Sequence, residues 1–148
     1  MNRINNYRVM LVKENSALYD TNQIKEPGDA ALILGKRLEG ESKENFLILT
    51  LNTKNRVLGC HTISMGSLTA SVVHPREVFQ AAILDNAASI ILSHNHPSGD
   101  PNPSREDILV TERLVRAGKL LDIPVLDHIV IGEGERREFV SMKNKGLM

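Results

Sequence analysis

A short apolar run, residues 90–92 (IIL), leads into two histidines that stand two residues apart, His94 and His96. The run predicts a buried strand, and alternate side chains of a strand face the same side of its sheet. Both imidazoles can therefore reach one point in space, while Asn95 faces away. The pattern predicts a central strand whose end carries a functional site.

The residues after the histidines are predicted to bring a carboxylate back to them. A loop rich in glycine and proline, residues 97–103, turns the chain, and a helix is predicted to begin near Ser104. Asp107 lies in the first turn of that helix. Two nitrogen ligands and one oxygen ligand leave one tetrahedral position for water, as catalytic rather than structural zinc requires. The sequence therefore predicts one zinc ion per chain, held by His94, His96 and Asp107.

Each part of this pattern also has an ordinary structural interpretation. An H-x-H sequence alone is a weak indication of metal binding. Ser104-x-x-Asp107 alone indicates a helix N-terminus, in which Ser104 caps the helix and Asp107 completes a capping box. The order of strand end, stiff loop and capped helix favours the metal site. The two interpretations are compatible, because Ser104 can cap the helix while Asp107 binds the metal.

The rest of the chain alternates between helix and strand patterns. Helices are predicted to begin near Glu26, at Pro75 and at Ser104, and strands are predicted over 7–12, 46–51, 57–63, 70–73, 89–92, 125–131 and 139–140. This alternation predicts an α/β fold with helices on both faces of the sheet, and the early hairpin makes the sheet mixed. We expect an N-terminal extension over 1–25, with one predicted strand, and a single domain over 26–148.

Composition narrows the classes of function and location. The 18 basic and 18 acidic residues give a formal net charge of zero, which argues against a broad DNA-binding surface. Two Tyr, three Phe and no Trp leave few platforms for base stacking. The single cysteine, Cys60, cannot form an internal disulfide, and no signal peptide or membrane-length apolar run is evident, so we expect a cytoplasmic protein. Cys60 and His61 are neighbours on a predicted strand and face opposite sides, so they are not expected to form a catalytic dyad.

The spacing H-x-H-x7-S-x-x-D, formed by His94, His96, Ser104 and Asp107, resembles the JAMM motif of JAB/MPN-domain metalloproteins. The longer string HNHPSGDPNPSREDI and its flanks, VHPREVFQAAILDNAASIIL and LLDIPVLDHIVIG, resemble the RadC-like branch of that family. This resemblance covers about residues 26–148. It implies a three-layer α/β/α sandwich around a mixed sheet, similar to the cytidine-deaminase fold, and a zinc hydrolase of the metallopeptidase type.

The resemblance also implies the remaining catalytic groups. A zinc hydrolase needs a base for its water, and in RadC-like chains a glutamate occupies an E-x-F string upstream of the histidines. Here that residue is Glu44; Glu39 and Glu41 are the other carboxylates before the same strand. Ser104 matches the family serine that stabilises the developing oxyanion. Glu77 is not taken as the catalytic glutamate, because it lies on a predicted helix that leads into the strand with the histidines.

Three classes of function follow, and the first is favoured. It is zinc-dependent cleavage of an amide bond in a peptide or protein substrate. The second is a metal-dependent nuclease or DNA-repair factor, which only the RadC label suggests. RadC-like proteins usually carry an N-terminal helix-hairpin-helix segment, whereas only about 25 residues precede the domain here. We therefore expect weak or no DNA binding. The third is a noncatalytic MPN interaction module, which typically lacks the zinc ligands. The sequence leaves open the substrate, the oligomeric state and the role of Asp127 and His128.

Overall fold

A computed structural model describes residues 1–66, 72–132 and 138–148. Within these ranges the chain forms three helices and five strands. In chain order they are α1 (Pro27–Arg37), β1 (Asn45–Leu51), β2 (Val57–Met65), α2 (Pro75–Leu84), β3 (Ser89–Asn95), α3 (Arg105–Leu121), β4 (Val125–Ile131) and β5 (Phe139–Ser141).

The five strands form one mixed sheet in the order β2-β1-β3-β4-β5. β3 lies at the centre, antiparallel to β1 and parallel to β4, while β2 and β5 pair antiparallel at the two sides. All residues of β1 and β3 are buried, which explains why both read as continuous apolar runs rather than as alternating patterns. The sheet is mixed, as predicted.

Helices cover both faces of the sheet. Leu47, Leu49 and Leu51 of β1 pack in one cluster with the apolar side of α1. Phe46 and Ile48 point to the opposite face and pack in a second cluster with apolar residues of α2 and α3. The period of two along β1 therefore divides its side chains between two cores. The predicted three-layer α/β/α arrangement is confirmed.

The helix boundaries follow from local sequence signals. Pro75 occupies the first position of α2, where its missing N–H costs no hydrogen bond. Ser104 caps α3, and its side chain accepts a hydrogen bond from the Asp107 N–H. α3 ends at Leu121 and is capped by Asp122, which has a left-handed backbone (φ 56°), and Pro124 follows two residues later. None of the helices within the described ranges is long and apolar enough to cross a membrane.

Two of the predicted strands need comment. The strand predicted over 7–12 is wrong: these residues form neither helix nor strand and are exposed. Within the described residues, the first strand-like pairing of the N-terminal segment is an isolated bridge between Gln23 and Arg56, so the apolar run at 7–12 has no paired neighbour. The strand predicted over 70–73 falls partly on residues 67–71, which lie outside the described residues.

Candidate metal centre

The end of β3 and the start of α3 bring together His94, His96 and Asp107, whose ligand atoms all lie within 4.8 Å of one another. His94 Nε2 lies 3.0 Å from Asp107 Oδ1, and His96 Nε2 lies 3.0 Å from Asp107 Oδ2. The two Nε2 atoms are 2.9 Å apart. His94 and Asp107 are buried, whereas the His96 side chain keeps 13% of its surface exposed, so the cluster opens to solvent at His96.

Asp107 serves the helix cap and the cluster with the same carboxylate. Its Oδ2 accepts the Ser104 N–H at 2.7 Å and also faces His96. In return, Ser104 Oγ accepts the Asp107 N–H at 3.1 Å, which completes the capping box. The cap holds the carboxylate beside the histidines, so the two interpretations of Ser104-x-x-Asp107 describe one arrangement.

The orientation of His96 is set by a backbone carbonyl. Its Nδ1 lies 2.7 Å from the carbonyl oxygen of Asp100, in the loop between β3 and α3. A carbonyl oxygen can only accept, so Nδ1 carries the hydrogen and donates it. In the neutral ring, Nε2 therefore presents a lone pair to the Asp107 carboxylate. Lone pairs and carboxylate oxygens this close repel one another unless a cation lies between them.

Electrostatics of the cluster agree with this arrangement. Burial disfavours the charged carboxylate of Asp107, yet its close contacts with His94 and His96, which are hydrogen bonds whenever the facing ring nitrogens carry a proton, outweigh burial and lower the pKa of Asp107 well below its usual range. The hydrogen bond with Asp107 raises the pKa of His96, against the opposing effect of burial. The carboxylate is thus ionised and draws positive charge towards the imidazoles. Two imidazole nitrogens and one ionised carboxylate form a donor set that fits Zn²⁺.

The predicted base, Glu44, is half-buried and precedes β1 directly. β1 and β3 pair with Phe46 opposite His94, so the residues before Phe46 run beside the histidine end of β3. The charge of Glu44 is one of the smaller causes of the raised pKa of His96, after the Asp107 hydrogen bond. Glu44 therefore lies within electrostatic reach of the cluster. Ser104 is exposed at the rim.

Asn95 fixes the segment that carries Glu44. Its side chain faces away from the cluster, as predicted, and its Oδ1 accepts the Asn45 N–H at 2.7 Å. Its Nδ2 donates to the carbonyl oxygen of Lys43 at 3.0 Å. Glu44 lies between these two anchored residues, and its own carbonyl accepts the Gly66 N–H at 2.8 Å. Sequence reasoning missed this role of Asn95, although its place between the two histidines was a signal.

The other candidate groups lie elsewhere. Glu41 forms a partly exposed ion pair with Arg37, at 3.8 Å, near the end of α1. His61 lies 2.5 Å from Asp85, on the opposite side of β2 from Cys60, so Cys60 and His61 form no dyad. His61 thus has a side-chain partner in Asp85, and Cys60 lies on β2, an edge strand of the sheet.

Asp127 and His128 have separate surroundings. The Asp127 carboxylate accepts the backbone N–H groups of His128 and Lys143 and the hydroxyl of Ser141, so it ties the C-terminal turn to β4. His128 is fully buried, and its Nε2 lies 2.7 Å from Nδ1 of His94. Burial holds the pKa of His128 well below its usual range, so this ring is neutral.

The mixed five-stranded sheet and the His-His-Asp cluster at the end of its central strand define a JAB-type α/β protein. Comparison with known families agrees, because residues 24–147 match the RadC-like JAB domain. The chain therefore belongs to the RadC-like JAB domain family.

Curated relatives of the chain include a UPF0758 protein of Methanosarcina acetivorans, 52% identical over 126 residues, which are 85% of this chain and 54% of the relative. Another is a UPF0758 protein of Desulforamulus reducens, 54% identical over 125 residues, which are 84% of this chain and 54% of the relative. The chain thus spans about half the length of these relatives. Their names assign no reaction.

Proposed function

We propose that the chain is a zinc-dependent hydrolase of the JAMM type that cleaves amide bonds, as a metallopeptidase or an isopeptidase. The observation that carries this proposal is the convergence of two imidazole nitrogens and an ionised carboxylate at the solvent-accessible end of β3. JAB-family membership places the cluster in a family that includes hydrolases. Three protein ligands leave a coordination position open, as a catalytic site requires.

In this proposal His94, His96 and Asp107 hold the ion. When bound, zinc acts as a Lewis acid and lowers the pKa of a coordinated water towards about 7. The protein contributes fixed ligand geometry, because β3 holds His94, the Asp100 carbonyl orients His96 just after β3, and the capping box holds Asp107. Rigid ligands limit the reorganisation that the site undergoes during the reaction.

Glu44 is proposed as the general base. Its carboxylate accepts a proton from the attacking water and then donates that proton to the nitrogen of the leaving amine. The support is positional: Glu44 precedes the strand that pairs with β3, and the Asn95 side chain holds the residues on both sides of it. A base held in this way is already oriented before the substrate arrives.

Ser104 is proposed to stabilise the developing oxyanion. Its Oγ accepts the Asp107 N–H, and this use of the oxygen leaves the hydroxyl hydrogen able to donate to substrate. Its exposed position at the rim makes the hydroxyl accessible to a substrate carbonyl. Donors aimed at a developing oxyanion contribute about 10²–10³ in rate in other hydrolases.

The test is hydrolysis by the purified, zinc-loaded chain. Peptide, isopeptide-linked and nucleic-acid libraries are incubated with the protein, with and without a chelator, and products are identified by mass spectrometry. We expect amide cleavage that the chelator abolishes and that added zinc restores. The Asp107→Asn variant should show no cleavage. Cleavage of nucleic acid alone, or zinc-independent amide cleavage, would overturn the proposal.

A further inference from the structure

The proposed hydrolysis leaves two buried polar residues without a role, His128 on β4 and Thr111 on α3. Both are completely buried. His128 Nε2 lies 2.7 Å from His94 Nδ1, and His128 Nδ1 lies 2.5 Å from Thr111 Oγ1. Thr111 Oγ1 lies 2.7 Å from the carbonyl oxygen of Asp107, one helical turn earlier. These contacts form a hydrogen-bonded chain that starts at the proposed ligand His94 and ends at the backbone carbonyl of the proposed ligand Asp107.

The direction of each hydrogen bond follows from the last member of the chain. The Asp107 carbonyl can only accept, so Thr111 donates its hydroxyl hydrogen to it. The other acceptor near Thr111, Met142 Sδ, is weaker and lies farther away, at 3.5 Å. With its hydrogen used, Thr111 Oγ1 can only accept from His128 Nδ1, which therefore carries the hydrogen.

The same reasoning continues into the metal cluster. A neutral His128 that carries its hydrogen on Nδ1 has a lone pair on Nε2. That lone pair accepts the hydrogen of His94 Nδ1, so the Nε2 of a neutral His94 is left without a hydrogen. His94 Nε2 is the atom that faces Asp107 and His96. The reverse direction would leave Thr111 and the Asp107 carbonyl as two acceptors in contact.

We propose that His128 and Thr111 are positioning residues that fix the tautomer and orientation of His94, so that its Nε2 lone pair faces the metal position before metal arrives. This inference rests on the proposed function only in that it takes His94 as a metal ligand. His96 is oriented in the same sense by the Asp100 carbonyl. Partners of this kind commonly orient metal-binding histidines, and their loss costs about 10–100-fold in affinity.

A neutral partner suits this position. The ring of His128 packs edge-on against Phe46, with ring centroids 5.7 Å apart, and it is fully enclosed. A carboxylate here would bring an additional charge into an apolar core beside Asp107. A histidine accepts from His94 without adding charge, and Thr111 fixes which of its nitrogens accepts. This hydrogen-bonded chain also connects three elements, since His94 lies on β3, His128 on β4 and Thr111 on α3.

The test measures tautomers and zinc affinity, and neither requires hydrolysis. Histidine side-chain ¹⁵N NMR on the metal-free protein should show hydrogen on Nδ1 and none on Nε2 for His94 and His128. Thr111→Val removes the hydroxyl at nearly constant shape, so His128 can move its hydrogen to Nε2 and displace the hydrogen of His94. We expect zinc affinity, measured by competition with a chromophoric chelator, to fall about 10-fold in Thr111→Val and up to about 100-fold in His128→Phe.

Two further variants separate positioning from packing. Thr111→Ser keeps the hydroxyl and should restore the wild-type tautomers and most of the zinc affinity. Ser93→Ala is the control, because it removes a buried hydroxyl on β3 that has no hydrogen-bond partner among the described residues. This variant should leave zinc affinity unchanged. Hydrogen on His94 Nε2 in the metal-free wild type would overturn the proposal. So would wild-type affinity and tautomers in Thr111→Val. Normal results here with no hydrolysis would instead count against the proposed function alone.

Discussion

At the residue scale, one carboxylate connects folding to the candidate chemistry. Asp107 accepts the Ser104 N–H at the start of α3 and faces both histidines. A capping box forms from residues three apart, and two histidines two apart share a strand face, so both features are visible in sequence. His128 and Thr111 could not be assigned in this way, because their contacts join β4, α3 and β3, which only the folded chain brings together.

The first prediction concerns metal content. Purified protein should bind one zinc per chain, and His94→Ala or His96→Ala should each lower bound zinc sharply, because each removes a ligand. Asp107→Asn is the sharper third variant, since an amide can still accept the Ser104 N–H but is a poor zinc ligand. Metal content is measured by elemental analysis after dialysis, and thermal unfolding checks the fold. Stoichiometric zinc in all three variants would refute the assignment.

The second prediction concerns Glu44. Glu44→Gln should keep fold and zinc but lose about 10²–10⁴ in rate, because an amide cannot accept the proton of water. The loss should fall on kcat more than on KM, since the base acts mainly in the transition state. Glu41→Gln is the matched control: it lies three residues earlier, pairs with Arg37 and should be nearly silent. A large loss of rate in Glu41→Gln, with wild-type rates in Glu44→Gln, would contradict the prediction and assign the general base to Glu41.

At the element scale, the availability of a partner strand decided which patterns became strands. β1 and β3 each contain a central apolar run, are buried along their whole length and lie inside the sheet, and their prediction from sequence is confirmed. The run at 7–12 has a similar composition, but a strand also needs a neighbour with free backbone groups. Sequence composition reports the tendency of a segment to form a strand. It does not report whether a partner strand is available, and the prediction over 7–12 failed for this reason.

A third prediction tests how β4 supports the loop between β3 and α3. A Cβ added at Gly132, just after β4, would lie 2.4 Å from the carbonyl oxygen of Gly99 and 3.1 Å from Pro101 Cδ. Gly132→Ala should displace this loop, which carries the Asp100 carbonyl that orients His96. We expect weaker zinc binding, by about 10-fold, together with a loss of stability of about 1–3 kcal/mol.

Gly118→Ala provides the control for that prediction. Its added Cβ would lie 2.5 Å from the carbonyl oxygen of Ile123, a comparable clash at the far end of α3. Thermal unfolding should show a similar loss of stability, whereas chelator competition should show wild-type zinc affinity in the folded protein. Equal loss of affinity in both variants would mean that zinc binding follows general stability and not the position of the loop.

At the scale of the whole molecule, the class of fold was predictable and the strand order was not. Alternating elements and an early hairpin indicate a mixed sheet with helices on both faces, and this is confirmed. The insertion of β3 between β1 and β4 depends on contacts between strands far apart in the chain. That insertion places Phe46 opposite His94, so the neighbourhood of Glu44 and the cluster is a product of strand order.

The last prediction concerns nucleic acid, the alternative that the RadC name suggests. Non-specific DNA binding is driven mainly by the counterions that an excess of Lys and Arg displaces from the phosphate backbone. This chain has no such excess, because its eighteen basic residues are balanced by eighteen acidic ones. With two Tyr, three Phe and no Trp, stacking on single strands offers little compensation. Fluorescence anisotropy with labelled single- and double-stranded DNA should therefore show at most weak binding by this chain at about 0.15 M salt. The titration is repeated at lower salt, where any weak electrostatic binding should strengthen. Sub-micromolar affinity at the higher salt would contradict the prediction and would mean that local clusters of charge, rather than the net charge, determine what this chain binds.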